Sequence, residues 1–199
     1  MFLGIIHFIT TTRFHMPDII RGYVQPLESQ LQGAAITGCR YLVKQCINYG
    51  VDLNATEFLP ASPETPTIFP EMNGWVDDSP FSAIHIASIF GQIEVVDILI
   101  KAGADLNVTS APYNFTALHS IMAILDELNN DEVDDDGYVR IIMPKYIMAP
   151  QKIYLDLARL LIESGADTKA MDIYDKTPTQ YAYKAKLYDI LELMIPTWG

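Results

Sequence analysis

The chain has 199 residues, half of them apolar and 19% charged, which is enough to bury a sizeable core and excludes wholesale disorder. Its 25 acidic against 13 basic residues give a net charge of −12, which repels phosphate backbones and argues against direct nucleic-acid binding. Two cysteines, Cys39 and Cys46, argue against a disulfide framework, and a reducing, cytoplasmic compartment fits better.

The charge is not spread evenly. Residues 56–78 hold Glu57, Glu64, Glu71, Asp77 and Asp78, and residues 126–136 hold Asp126, Glu127, Asp131, Glu132, Asp134, Asp135 and Asp136, with no Lys or Arg in either segment. Those 12 acids leave 13 acids against 13 bases elsewhere, so a neutral scaffold carries two acidic insertions.

Residues 1–25 come first and are expected to form an N-terminal extension or cap. The opening Met1–Ile9 is apolar but lacks the basic start and small-residue cleavage site of a secretory signal. It is read either as an end that packs on the domain or as upstream extension, with Met16 the true start. No stretch approaches the ~20 apolar residues that a membrane span requires.

Residues 26–199 read as a repeat domain. The first unit, near 26–55, runs from Leu31-Gln32-Gly33-Ala34-Ala35 to Gly50-Val51-Asp52-Leu53-Asn54. The loop insertion at 56–78 follows. Pro60, Pro63, Pro66 and Pro70 forbid a helix there, and its Phe58, Phe69 and Trp75 are more than a solvated loop needs. The second unit, near 79–109, runs from Ile84-His85-Ile86-Ala87 to Gly103-Ala104-Asp105-Leu106-Asn107. The first two units each take 19 residues from the leading aliphatic to the closing glycine. The third, at 113–170, opens on Thr116-Ala117-Leu118-His119 and closes on Gly165-Ala166-Asp167 after 47, so 28 extra residues sit inside it. They are assigned to an insertion at 126–152. Residues 129–137 read as an exposed turn, and residues 138–146 alternate weakly, as a short strand would. The fourth unit, near 171–195, has no closing Gly-x-Asp, as expected of a terminal cap.

Apolar residues at helical spacing predict two short antiparallel helices per unit. Ala34, Ala35 and Ala87 allow close helix approach. Gly50, Gly103 and Gly165 are placed to end the second helix in a left-handed conformation. Ser82 and Thr177 precede first helices, where a hydroxyl can cap, and Pro178 suits a first turn. Cys46 falls at an inward helical position, and Cys39 at a more exposed one.

These recurring motifs resemble the ankyrin-repeat family, most strongly from Gly91 to Asn107. Ser82-Ala83-Ile84-His85 and Thr116-Ala117-Leu118-His119 look like its Thr-Pro-Leu-His turn. The resemblance implies an all-α solenoid of about four helix-turn-helix units with short hairpin-like connections. At the family's turn-histidine position, His85 and His119 are expected to hydrogen-bond hairpin backbone between units rather than act as ligand or base. The resemblance also implies a protein-binding role, and it admits delivery of a bacterial effector into a host cell.

No phosphate-binding glycine loop, nucleophile elbow, His-Glu-x-x-His or Cys-x-x-Cys is present. A calcium loop can be laid on 132–143, with Glu132, Asp134, Asp136 and Gly137 in place, but Met143 falls where a bidentate carboxylate is required. The expectation is a non-enzymatic module with no cofactor or metal, monomeric unless complexed. A site built from the 126–152 insertion with Cys39 or a histidine is the enzymatic alternative. The acidic segments should steer a basic protein partner. The candidate contact residues are Phe69, Trp75, Asp77, Asp78, Tyr113, Asp131, Glu132, Asp134, Asp135, Asp136, Tyr138 and Tyr174. Tyr113, Tyr174 and Trp75 enter as aromatics near the tips that precede first helices. An inhibitor, immunity protein or antitoxin that occludes a basic enzyme is the alternative function.

Overall fold

A computed structural model describes residues 26–56, 81–111, 113–129 and 149–195. Eight helices fall among them: α1 (Leu27–Thr37), α2 (Arg40–Asn48), α3 (Ala83–Ile89), α4 (Ile93–Lys101), α5 (Ala117–Asn129), α6 (Gln151–Glu163), α7 (Pro178–Lys184) and α8 (Tyr188–Met194). The described residues contain no β-strand. An isolated antiparallel bridge from Ser110 to Phe115 closes one hairpin.

Each odd helix packs against the even helix that follows it, and the pairs stack. The odd helices form one layer, in the order α1, α3, α5, α7, and the even helices form a second, α2, α4, α6, α8. The core runs between these layers through the whole stack. Leu31, Ile84 and Leu118 lead the odd helices and are buried, as are Cys46, Leu99 and Leu161 toward the ends of the even ones. Cys46 therefore serves as a small core hydrophobe, as its spacing predicts, and burial pushes its thiol pKa up to about 11. A buried aliphatic of this size stabilises by roughly 1.5–3 kcal/mol. No helix pair is thick enough to bury these side chains alone, so the burial depends on the neighbouring pair.

Gly50, Gly103 and Gly165 have φ of 79°, 87° and 94° just past the even helices, as the sequence predicts. The turn inside each unit carries another left-handed residue. Gly38 and Gly91 have φ of 69°, and Lys186 takes the same place in the fourth unit with φ of 57°. In the third unit this is where the chain departs: α5 ends at Asn129 and α6 begins at Gln151, yet the two helices pack directly together. The insertion thus enters between the helices of one unit without parting them.

Two local features differ from the sequence reading. The acidic stretch starting at Asp126 begins inside α5, which runs on to Asn129. Asp126 is buried and ion-paired at 3.3 Å with Lys184 of α7, so it belongs to the scaffold. The apolar run through Ile124 and Leu125 prolongs the helix, and the lysine partner makes burial of a carboxylate tolerable there. Ser82 makes no side-chain cap, because its hydroxyl is taken by the His85 ring. Thr177, by contrast, caps α7 in a reciprocal box with Gln180, and Pro178 occupies the first turn.

Gly91 also makes room for the returning chain. A Cβ there would sit 2.5 Å from that of Ala149, in a left-handed backbone that disfavours any side chain. Gly91→Ala should lower the unfolding free energy by about 2 kcal/mol. Gly33→Ala, in the interior of α1 with nothing within 4 Å of the new methyl, should raise it by roughly 0.5–1 kcal/mol. Urea-unfolding midpoints of the two variants check both signs.

Candidate protein-binding face

The loops between units are built from side chains that satisfy backbone groups. After each closing glycine an aspartate turns the chain: Asp52, Asp105 and Asp167 accept from the N–H groups of Asn54, Asn107 and Lys169 at 2.9, 2.8 and 2.8 Å. The two asparagines then reach forward. Asn54 Oδ1 accepts from Asp105 N–H and Asn107 Oδ1 from Asp167 N–H, each at 2.8 Å. The recurring Asp-x-Asn signals this ladder, but the sequence reading weighed only the glycine beside it.

A second row ties each odd helix to the following hairpin. Gln32 Nε2 donates to the Phe81 carbonyl at 3.0 Å, His85 Nε2 to Phe115 at 2.8 Å, and His119 Nε2 to Lys176 at 3.2 Å. Carbonyls only accept, so Nε2 carries the proton in both imidazoles and Nδ1 is an acceptor. Ser82 Oγ donates to Nδ1 of His85 at 2.8 Å. Nδ1 of His119 accepts from both the Thr116 N–H and its hydroxyl, at 3.2 and 2.9 Å. Both rings have every polar atom committed, which is the locking role their position implied. A third row runs backward: Gln92 Nε2 donates to the Ile36 carbonyl and Tyr154 Oη to that of Ile89.

The hairpin tips project from these rows. Tyr113 and Tyr174 each precede a left-handed residue, Asn114 with φ of 54° and Asp175 with φ of 56°. Adjacent tips are joined by the Ile173 N–H, which donates to the Tyr113 carbonyl at 3.2 Å. Tyr113 is half-buried beside Phe115, while Met171, Ile173 and Tyr174 are exposed. Asp172 supports the last tip from below. It accepts from Tyr174 N–H and Lys176 N–H with one oxygen and from Tyr181 Oη, at 2.7 Å, with the other. Beside it, Tyr174, Lys176, Gln180 and Lys184 line a shallow depression.

The structure thus brings together two of the predicted contact residues, Tyr113 and Tyr174. Phe69, Trp75, Asp77, Asp78, Asp131, Glu132, Asp134, Asp135, Asp136 and Tyr138 lie outside the described residues, as does the 132–143 stretch tested for a calcium loop. Met171 and Ile173, exposed beside Tyr174, were not among the predicted contact residues; their signal is apolar side chains flanking Asp172 in a hairpin, where solvated residues are expected. Among the described residues no cluster of His, Cys, Asp or Glu could hold a metal ion, and no helix is long and apolar enough to cross a membrane.

Comparison with known proteins agrees with this architecture. A family model for the ankyrin repeat matches residues 81–111. The putative ankyrin repeat protein FPV244 of Fowlpox virus (strain NVSL) is 26% identical over 110 residues, which are 51% of this chain. The chain spans only 15% of that curated relative. The crystal structure of the ankyrin repeat domain of Bcl-3, described as a unique member of the IkappaB protein family, superposes with a TM-score of 0.55 at 20% identity. That match covers 84% of this chain and 56% of the other. Residues 81–111 thus match an ankyrin repeat, and the stacked helix pairs around them share the fold of an ankyrin-repeat domain.

The inter-unit histidines make the stack acid-sensitive. Burial pushes His85 from 6.5 down to about 4, against the opposing pull of the Phe115 carbonyl, and burial lowers His119 as well. The unfolded chain therefore takes up these protons at higher pH than the folded one. Stability is full above about pH 6.5 and falls through the window down to about pH 4, with His85 alone accounting for about 2 kcal/mol by pH 5. Urea unfolding followed at pH 7 and pH 5 should show this loss. In His85→Gln, which keeps a donor for Phe115 as Gln32 does for Phe81, the loss should shrink.

Proposed function

We propose that the protein is a non-enzymatic binding module, acting inside a cell, that recognises a partner protein with a basic surface. The joined tips carry this reading: Tyr113, Ile173 and Tyr174 set rigidly placed apolar and aromatic side chains side by side on a scaffold that resists deformation. Tyrosines at such positions are frequent binding hot spots. The acidic residues of the two insertions, among them Asp77, Asp78, Asp131, Glu132, Asp134, Asp135 and Asp136, supply the steering field. Phe69, Trp75 and Tyr138, in the same two sequence segments, supply aromatic contact. The ankyrin-repeat family supports the reading at the level of class, because it is generally used to bind proteins.

Two consequences separate the apolar and electrostatic contributions. The partner, captured by in-cell crosslinking and then purified, should bind less tightly as salt rises, and replacing Asp134, Asp135 and Asp136 by Asn should slow association with little change in dissociation. Tyr174→Ala should instead raise the dissociation rate, at a cost of about 2 kcal/mol. A complex indifferent to both salt and Tyr174→Ala contradicts the proposal.

A further inference from the structure

The fourth unit places polar groups where the first three place none of that kind. The residue after the turn glutamine or histidine is Gly33, Ile86 or Ser120 in those units. Gly33 and Ile86 have no polar side-chain atom, and Ser120 Oγ donates back to the Thr116 carbonyl one helical turn away, at 3.4 Å. In the fourth unit the residue is Tyr181. Its ring is buried edge-on to Phe115 and His119, with centroids 6.0 and 6.1 Å away. Its hydroxyl donates at 2.7 Å to the carboxylate of Asp172, which is itself only 4% exposed. Stacking asks for no more than an apolar side chain here, as the buried Ile86 shows. Burying a carboxylate and a hydroxyl is costly unless each is paired, so this pair answers to something other than stacking.

We propose that Tyr181 is a positioning residue for the joined tips, acting through Asp172 on Tyr174 and through Phe115 on Tyr113. One oxygen of Asp172 accepts from the N–H groups of Tyr174 and Lys176 at 2.8 and 2.9 Å, on either side of Asp175. Asp175 has φ of 56°, a backbone conformation that a residue with a Cβ keeps only where its surroundings impose it. Tyr181 holds the other oxygen, so the carboxylate cannot turn away from the two amides. Burial, and then the bond to Asp172, push the Tyr181 hydroxyl well above its ordinary pKa, so it stays a donor at neutral pH. On its other side the Tyr181 ring backs Phe115, which packs against Tyr113 with centroids 6.1 Å apart. Tyr181 is too buried to meet a partner and works at one remove. The inference rests on the reading of the tips as the contact surface and deepens it.

Tyr181→Phe keeps the ring and removes the bond. Amide exchange of the full chain, read by NMR, should then quicken about tenfold at the Tyr174 and Lys176 N–H groups. The Ser110 N–H, bonded to the Phe115 carbonyl in the neighbouring hairpin, should keep its wild-type rate. The purified crosslinked partner should leave Tyr181→Phe about tenfold faster than wild type. Added to Tyr174→Ala, Tyr181→Phe should change that rate by less than about twofold, because its effect runs through Tyr174. A tyrosine with a merely structural role would act additively in the double variant. Unchanged exchange at Tyr174 and Lys176, an equal rise at Ser110, or an additive loss in the double variant overturns the proposal. A partner indifferent to Tyr174→Ala, with the two amides still quickened in Tyr181→Phe, removes the tips as contact surface and keeps Tyr181 as the residue that sets them.

Discussion

Everything in this fold follows from one constraint: a pair of helices 7 to 13 residues long cannot bury its own apolar face. The side chains that would form a core in a larger domain are instead covered by the next pair. The two helix layers make that cover continuous, and buried residues such as Ile84, Leu99, Leu118 and Leu161 gain their stabilisation only when the neighbours are in place. The units fold as a coupled row.

Apolar burial alone does not fix how one pair sits on the next. Three sets of side-chain hydrogen bonds do. Gln32, His85 and His119 hold the hairpins, Asn54 and Asn107 hold the turns, and Gln92 and Tyr154 reach back to the odd helix of the preceding unit. Each group is paired where burial would penalise it if left alone. The same arrangement makes the histidines poor acid-base catalysts: their nitrogens are committed and their rings are held neutral. The price of this rigidity is sensitivity to acid. The joined tips gain from it, since Tyr113 and Tyr174 are carried on loops whose backbone is held from both sides.

Much of this was legible in the sequence because each signal was local and repeated. The closing glycines and the leading aliphatics recur in register, so helix pairs and core positions could be read directly, while the inter-unit locks of His85 and His119 followed from the resemblance to the ankyrin-repeat family. Gln32 was harder to read, since an amide stands where later units have an imidazole, yet it makes the equivalent bond. Asp126 could not be assigned from charge counting, because whether a carboxylate belongs to an acidic run or to a helix depends on Lys184, far along the chain. Ser82 was misassigned as a cap because two partners compete for one hydroxyl. The position of Tyr113 and Tyr174 at hairpin tips was legible from their place before first helices. That Ile173 joins them was not, because it depends on how two hairpins meet.

The central claim is that each unit draws its stability from the interface with its neighbours. Native-state amide hydrogen exchange on the full chain, compared between the wild type and His119→Ala, tests it most directly. The claim predicts that protection falls together in α5, α6, α7 and α8, on both sides of the broken lock, while α1 and α2 keep most of theirs. Loss confined to α5, with α7 and α8 as protected as before, would contradict it.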